Sequence, residues 1–184
     1  MIGPTLTGAT VQLRGWHESD LPALSVLRSD VALQAKLMAR ATPDSAEQVR
    51  EWLAARATQP DMLLYVIAAR GNDTVLGYVQ AAALDMFHGH CELGICLSPE
   101  AQGRGIASPA LDLLYSYLRN ECGMRKIGLR VRADNGRAIA FYLREGYLEV
   151  GRLASHYREN DAYVDVILME RSLAGVADRQ TVPA

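Results

Sequence analysis

A glycine-rich segment near the middle of the chain has the residue types of an anion-binding loop. It runs from Gln102 to Ala107 (QGRGIA), between an apolar run at 93–97 and a helical pattern at 111–118. Two glycines one residue apart let the backbone turn sharply and approach a ligand closely. A helix that begins here would direct unpaired N–H groups into the loop, and Arg104 would add positive charge. The segment therefore favours an anion, most often a phosphate, although a plain strand-to-helix turn fits the hexapeptide equally well.

Glu92 is a lone carboxylate in an apolar stretch, which is an expensive location unless the group is used or paired. Strand alternation places it on one face with His90, Gly94 and Cys96. Burial would raise the pKa of Glu92 towards working pH and suit it to act as a general base, directly or through water. A partly solvated carboxylate without a role is the alternative, and His90 is a second candidate base.

Three further residues could take part in chemistry, and each also has a structural interpretation. Tyr142 could donate a proton, but periodicity alone places it in the core with its neighbours on a helix face. Asn135 is a plausible helix N-cap. Cys96 could be a nucleophile, but nothing near it in the sequence activates it, so a small buried hydrophobic residue is favoured.

Length and composition predict one ordinary globular domain. The chain has 184 residues, 49% of them hydrophobic and 22% charged. We expect a single domain over residues 1–184, with an ordered core at about 10–173 and a tail at 174–184. The net charge of −2 argues against a nucleic-acid partner or an anionic membrane surface.

The cysteines and histidines give no sign of a metal site. The three cysteines have no C-x-x-C spacing, and the four histidines form no ligand cluster in the sequence. The N-terminus lacks a basic patch followed by an apolar stretch, and no run approaches a membrane span. We therefore expect a cytoplasmic protein with reduced thiols, no metal and no membrane association.

Hydrophobic patterning predicts alternating strands and helices. A strand at 11–14 is followed by a helix that Asp20 caps and that ends near Arg28, and then by a second short helix at 31–38. The chain breaks at Pro43–Ser45, and a Ser45–Gln48 capping box opens the next helix. Three strands in a meander follow, at 62–69, 74–84 and 90–97. A long helix at about 106–121, a strand at 127–131, a helix opened by Asp134–Asn135 and strands at 147–151 and 163–169 complete the order.

Counted with the short helix at 31–38 as a continuation of the first, the elements follow the order β-α-α-β-β-β-α-β-α-β-β. This order predicts an α/β protein with a mixed, mostly antiparallel sheet of about seven strands and helices on both faces. The long helix connects two strands that should run parallel. Ligands of open α/β sheets bind beyond the carboxyl ends of strands, which here is the end of the strand at Leu97, beside the glycine loop.

Two segments together resemble the GNAT superfamily of N-acetyltransferases. Residues 97–107 (LSPEAQGRGIA) are similar to the family's acetyl-CoA pyrophosphate loop, and 135–147 (NGRAIAFYLREGY) to its second signature. The resemblance covers about residues 11–173. The end of the chain, YVDVILM at 163–169, resembles the branch with ribosomal-protein N-terminal acetyltransferases, which also contains enzymes acting on nucleotide-linked amino sugars. Pro109 departs from the family pattern and implies that the helix begins close to 105–108.

The resemblance implies a direct acetyl transfer from acetyl-CoA to a primary amine, with Glu92 as general base and Tyr142 as general acid near the sulfur. It implies that strand amides at 95–97 contact the pantetheine arm and the acetyl oxygen, and that Asn135 contacts the cofactor arm. The implied cofactor-binding residues are Ile95, Cys96, Leu97, Gln102, Gly103, Arg104, Gly105, Ile106, Ala107, Ser108, Asn135 and Tyr142.

The acceptor and the assembly stay open at this stage. The acceptor is a small-molecule amine, such as a nucleotide-linked amino sugar, or a protein N-terminus. We expect the early helices, the turn at 85–89 and the segment at 155–162 to form the walls of the acceptor site. The candidate wall residues are Trp16, Tyr78, Met86, Phe87, His88, His156 and Tyr157. A non-catalytic acyl-CoA-binding module is the alternative function, and a homodimer through a sheet edge is plausible.

Overall fold

Eight strands form one mixed sheet in the computed structural model, which describes residues 3–39 and 45–174. The order across the sheet is β1-β2-β3-β4-β5-β6-β8-β7. In this part of the chain β5 and β6 pair in parallel and every other neighbouring pair is antiparallel. The strands are β1 (Leu6–Thr7), β2 (Val11–Arg14), β3 (Leu63–Ala69), β4 (Val75–Asp85), β5 (His90–Leu97), β6 (Lys126–Arg132), β7 (Leu148–Glu159) and β8 (Ala162–Ser172).

In residues 3–39 and 45–174, five α-helices lie on the two faces of the sheet. They are α1 (Leu21–Ser29), α2 (Val31–Lys36), α3 (Ala46–Ala57), α4 (Ala107–Asn120) and α5 (Gly136–Arg144). Helices α1–α3 pack with Val66, Tyr78 and Cys96 in one buried cluster. Helices α4 and α5 pack on the opposite face, where alternate strand residues such as Tyr65 and Val79 point. The mixed α/β sheet with helices on both faces is therefore confirmed.

Helix beginnings follow the predicted caps in two of three cases. The Ser45 hydroxyl accepts from the Gln48 amide, and the Ser45 amide donates to the Gln48 side chain at 2.8 Å. Asn135 caps α5 by accepting from the Ala138 amide at 3.2 Å. Asp20 occupies the predicted N-cap position of α1, but its side chain makes no capping hydrogen bond, because its buried carboxylate pairs with Arg14 at 2.7 Å. That ion pair ties the start of α1 to β2.

The last hairpin differs most from the sequence prediction. Strand β7 extends to Glu159, beyond the predicted end at Gly151, and the chain turns only at 160–161. Two irregularities in its pairing with β8 absorb the extra residues, and Ser155 there has a φ of 47°. These bulges interrupt the alternation of side chains along the strand, so the sequence pattern does not predict a strand beyond Gly151. The short β1 was also not predicted.

Some predictions fall on residues outside the described ranges. These are most of the break at Pro43–Ser45 and all but the first residue of the tail at 174–184. No helix in the described ranges is long and apolar enough to cross a membrane.

Candidate active site

A cavity of about 720 Å³ opens where β5 separates from β6. The two strands pair only at 90–92, ending with Glu92 opposite Gly128. Strand β5 then continues beside β4 alone as far as Leu97, so the edge that faces β6 is left open. The glycine loop and α5 close one end of the cavity, and α1–α3 close the other. The position beyond the carboxyl end of β5 agrees with the sequence prediction.

The open edge of β5 presents the backbone of alternate residues. The Ser98 amide donates to Leu76 of β4 at 2.8 Å, and a Cβ on Gly77 would lie 2.1 Å from the Cys96 oxygen. The backbone groups of Cys96 therefore point towards β4, and those of Ile95 and Leu97 point to the open edge. The predicted set of three is thus divided: Ile95 and Leu97 offer amides to a ligand, and Cys96 lines the cavity without doing so.

The glycine loop has the geometry of an anion nest. Gly103 and Gly105 have φ of 76° and 72°, a region that favours glycine. Helix α4 begins at Ala107, as Pro109 implied. Within the described ranges, no backbone oxygen accepts from the amides of residues 103–108. The Gln102 side chain donates to the Leu97 oxygen at 3.1 Å and so fixes the loop to the end of β5. Free amides and a helix N-terminus together suit a phosphate.

The positive charge at this loop comes from a residue that sequence reasoning missed. Arg104 is exposed and is the one predicted cofactor-binding residue that does not line the cavity. Arg137 of α5 lines it instead, and its guanidinium would lie 3.3 Å from a Cβ on Gly103. Arg137 sits inside the second signature, so the motif contained the signal. Ser108 donates its hydroxyl to Glu145 at 2.5 Å, which leaves its amide for a ligand.

Tyr142 lines the cavity from α5, next to Asn135 and Ala138. Its ring packs against Phe141 and Tyr147 at centroid distances of 5.3 and 5.5 Å. Burial raises the pKa of Tyr142 to about 12, so its hydroxyl stays protonated at neutral pH. Tyr142 therefore packs with the core, as its periodicity suggested, and also lines the cavity with a protonated hydroxyl.

Glu92 also lines the cavity, but the burial predicted for it is wrong. Its side chain is 51% exposed and pairs with Arg130 of β6 at 3.1 Å. The separation of β5 from β6 begins at this residue, which explains the exposure. The carboxylate is thus paired and solvated, and the expected desolvation is absent.

Cys96 is buried against the α1–α3 cluster. Burial raises the pKa of its thiol to about 12, so the thiolate needed for nucleophilic attack is scarce at neutral pH. The structure thus agrees with the interpretation of Cys96 as a small buried residue.

The predicted walls of the acceptor site are mostly elsewhere. Of the seven candidates only Tyr78 lines the cavity. Phe87 is 91% exposed at the β4–β5 turn, and Tyr157 lies on β7 beneath Arg132. The early helices do contribute, through side chains that periodicity had assigned only to helix packing. We call this part of the cavity the helical end, lined by Arg28, Lys36, Trp52, Arg56 and Tyr78.

Two of the histidines lie together, contrary to the expectation of no ligand cluster. Ligand atoms of Asp85, His88 and His90 lie within 4.8 Å of one another at the β4–β5 turn. The Asp85 carboxylate contacts His88 Nδ1 at 2.7 Å and accepts from the Phe87 and His88 amides. These hydrogen bonds account for the arrangement as a turn cap, and the absence of a bound metal stays a prediction.

Comparison with known proteins agrees with this geometry. Residues 10–147 match the model of the acetyltransferase (GNAT) domain. The chain belongs to the GNAT family. The crystal structure of spermidine N-acetyltransferase from Vibrio cholerae, in complex with CoA and spermine, aligns with a TM-score of 0.80 over 89% of this chain and 95% of that one. At 22% identity this similarity establishes the fold alone.

Two curated relatives of this GNAT chain are named for different acceptors. Spermidine N(1)-acetyltransferase of Vibrio cholerae is 29% identical over 92 residues, which are 50% of this chain and 53% of that protein. Ribosomal-protein-serine acetyltransferase of Escherichia coli (strain K12) is 30% identical over 100 residues, 54% of this chain and 56% of that protein. The matches therefore span about half the length of these relatives. The second relative agrees with the branch inferred from the sequence.

Proposed function

We propose that the protein transfers an acetyl group from acetyl-CoA to a primary amine through a ternary complex. The observation that carries the proposal is the joining of four features in one cavity: the open β5 edge, the unpartnered loop amides, Glu92 and Tyr142. Each feature alone has a structural explanation. Together they supply what acetyl transfer from a thioester to an amine requires.

The residues of the cavity fit acetyl-CoA, which supplies an activated acetyl thioester when bound. The amides of 103–108 and the Arg137 guanidinium would hold the pyrophosphate. The amides of Ile95 and Leu97 would bind the pantetheine arm and the acetyl oxygen. A preorganised donor at such an oxygen contributes about 3–4 kcal/mol in enzymes where it has been removed.

Glu92 and Tyr142 handle the two protons of the reaction. The amine nitrogen forms a bond to the acetyl carbon and gives up a proton, which Glu92 accepts directly or through water. The carbon–sulfur bond breaks, and Tyr142 donates its hydroxyl proton towards the departing sulfur. Because the pKa of Tyr142 is about 12 and that of a free thiol is about 8.5, the hydrogen bond to the developing charge matters more than lasting ionisation of the tyrosine.

The acceptor class is the less constrained half of the proposal. The relatives are named for spermidine and for a ribosomal-protein serine. A small-molecule amine, such as a nucleotide-linked amino sugar, and a protein N-terminus both agree with a cavity that is open to solvent. A competition screen of polyamines, nucleotide-linked amino sugars and peptide N-termini, followed by mass spectrometry of the acetylated product, separates these classes.

Replacement of Tyr142 with Phe tests the chemistry. The variant keeps the ring packing but loses the hydroxyl, so the rate of thiol release should fall by about 10²-fold or more while CoA affinity stays within about twofold. Thiol release follows the reaction, and calorimetry gives the CoA affinity. Tyr163→Phe, an exposed position on β8, is the matched control and should match wild type.

Two outcomes would contradict the proposal. Thiol release at background for every amine in the screen, with CoA still bound, would instead support a non-catalytic acyl-CoA-binding module. A Tyr142→Phe variant as fast as wild type would remove Tyr142 from the mechanism.

A further inference from the structure

The helical end of the cavity concentrates positive charge around one tryptophan. The guanidinium carbons of Arg28 and Arg56 each lie 4.3 Å from the Trp52 ring centroid. Arg28 comes from α1, whereas Trp52 and Arg56 lie one turn apart on α3. Lys36 of α2 lines the same end. Three separate helices thus bring cations to one wall.

Arg56 is held where its charge is poorly solvated. Its Nε is buried, and no hydrogen-bond partner for it lies in the described part of the chain. Burial, with Arg28 nearby, lowers the pKa of Arg56. A buried guanidinium donor without an acceptor is unfavourable, and an oxyanion that binds Arg56 from the cavity this residue lines would offset its repulsion with Arg28.

The acids of the cavity are already engaged. Among the described residues that line it, the acidic ones are Glu92 and Glu145. Glu92 pairs with Arg130, and Glu145 accepts from Ser108 and lies 3.6 Å from Arg171. Among the described residues, the helical end contributes cations and no carboxylate to the cavity lining, which favours an anion over a polycation.

We infer that the acceptor is a small primary amine that also carries an oxyanion, a carboxylate or a phosphate, which binds Arg56 beside Trp52. The amine then points across the cavity towards Glu92. This inference rests on the proposed acetyl transfer, and it favours an amino acid-like or phosphorylated amine over a polyamine.

Direct binding tests the site independently of turnover. Saturating CoA occupies the pyrophosphate loop, and inorganic phosphate is then titrated against the CoA complex by calorimetry. Wild type should bind phosphate, Arg56→Gln should bind it at least tenfold more weakly, and Arg56→Lys should recover part of the affinity. Arg119→Gln, an exposed arginine on α4, should behave as wild type. Equal phosphate affinity in wild type and Arg56→Gln, or none in either, would overturn the inference.

Turnover separates the inference from the proposed function. The acceptors are n-butylamine, 4-aminobutyrate, 1,4-diaminobutane and 3-aminopropyl phosphate, which present no second charge, a carboxylate, a second amine and a phosphate. We expect kcat/KM at least tenfold higher for an anionic acceptor than for butylamine, and the better of the two anions identifies the group. Arg56→Gln should abolish that preference by raising KM for the anionic acceptor, and Arg119→Gln should keep the preference.

The results with these acceptors distinguish the anionic acceptor from acetyl transfer itself. Preference for the diamine or for butylamine would overturn the anionic acceptor and leave acetyl transfer intact. Thiol release from none of the amines would count against acetyl transfer, and the phosphate titration would still decide whether the anion site exists.

Discussion

The Glu92 carboxylate sits in the cavity wall with the Arg130 guanidinium 3.1 Å away. Glu92→Gln keeps an oxygen that Arg130 can bind but cannot accept a proton. We expect its kcat to fall by about 10²-fold, the usual size of a general-base contribution, with CoA affinity unchanged. Thiol release under saturating acetyl-CoA measures the effect, and Glu149→Gln at the exposed sheet edge is the matched control.

The other candidate base gives this test a clear alternative result. His90 lies on the same strand face as Glu92 and contacts Asp85 at 3.6 Å. A Glu92→Gln variant with full activity, combined with a large loss in His90→Gln, would assign proton removal to His90 and refute the role of Glu92.

At the residue scale, the sequence predicted which residues belong to a motif better than it predicted how exposed each side chain is and what it contacts. Tyr142 and Asn135 were found because a signature fixes their positions along one helix. The exposure of Glu92 was not foreseeable, since it depends on where β6 leaves β5, a contact between distant segments. Trp52 and Arg56 followed helical spacing, but spacing does not reveal which side chains at the edge of a buried face meet a cavity.

At the scale of elements, the loop before α4 depends on two residues with positive φ. A Cβ at Gly105 would meet no atom within 4 Å, so Gly105→Ala changes backbone preference without a clash. An alanine in the left-handed region is unfavourable by about 1–2 kcal/mol, which predicts CoA binding weaker by roughly 5- to 30-fold. Calorimetric titration with CoA measures the loss.

Gly15→Ala is the control for the loop variant. Its Cβ would also lie in open space, and its φ is not in the positive region. CoA affinity equal to wild type in both variants would show that the loop conformation does not limit binding. Weaker binding in both would point to a general loss of stability.

Local signals account for the predicted elements, and long-range pairing accounts for the errors. The capping box at Ser45, the cap at Asn135 and the loop before Ala107 were all visible in a few consecutive residues. The length of β7 depends on bulges that its partner β8 accommodates. The Asp20 carboxylate does not cap α1 because it pairs with Arg14 across a turn. Neither partner is encoded in the segment itself.

At the scale of the whole molecule, β7 forms one edge of the sheet with Leu148 and Val150 largely exposed. An exposed apolar edge strand is a common surface for association, so the expected homodimer through a sheet edge stays a prediction. The anion site and the loop lie on the other side of β6, along β5. Association at β7 would therefore leave the cavity open.

Buried tyrosines make the stability of the whole fold sensitive to alkaline pH. Burial raises the pKa of Tyr142 to about 12 and raises those of Tyr65, Tyr78, Tyr115 and Tyr147 further. Their pKa is about 10 in the unfolded chain. Below about pH 10 both states bind these protons, so stability does not depend on them. Above it the unfolded chain loses protons that the folded protein keeps, and stability falls as pH rises towards the folded pKa values.

Urea unfolding between pH 8 and pH 11.5 tests this prediction, with tyrosinate absorbance as a second signal. Tyr115 and Tyr147 share a hydrogen bond of 2.9 Å between their hydroxyls, which joins α4 to the chain before β7. Tyr115→Phe removes one titrating group, so stability should fall less steeply above pH 10 than in wild type, although the variant is less stable at pH 8. Tyr163→Phe, exposed on β8, should keep the wild-type slope. The part of the tyrosinate absorbance that Tyr115→Phe removes should appear only as the protein unfolds, and its rise near pH 10 in the folded protein would contradict the raised pKa values, because a buried ring would then ionise in the folded state.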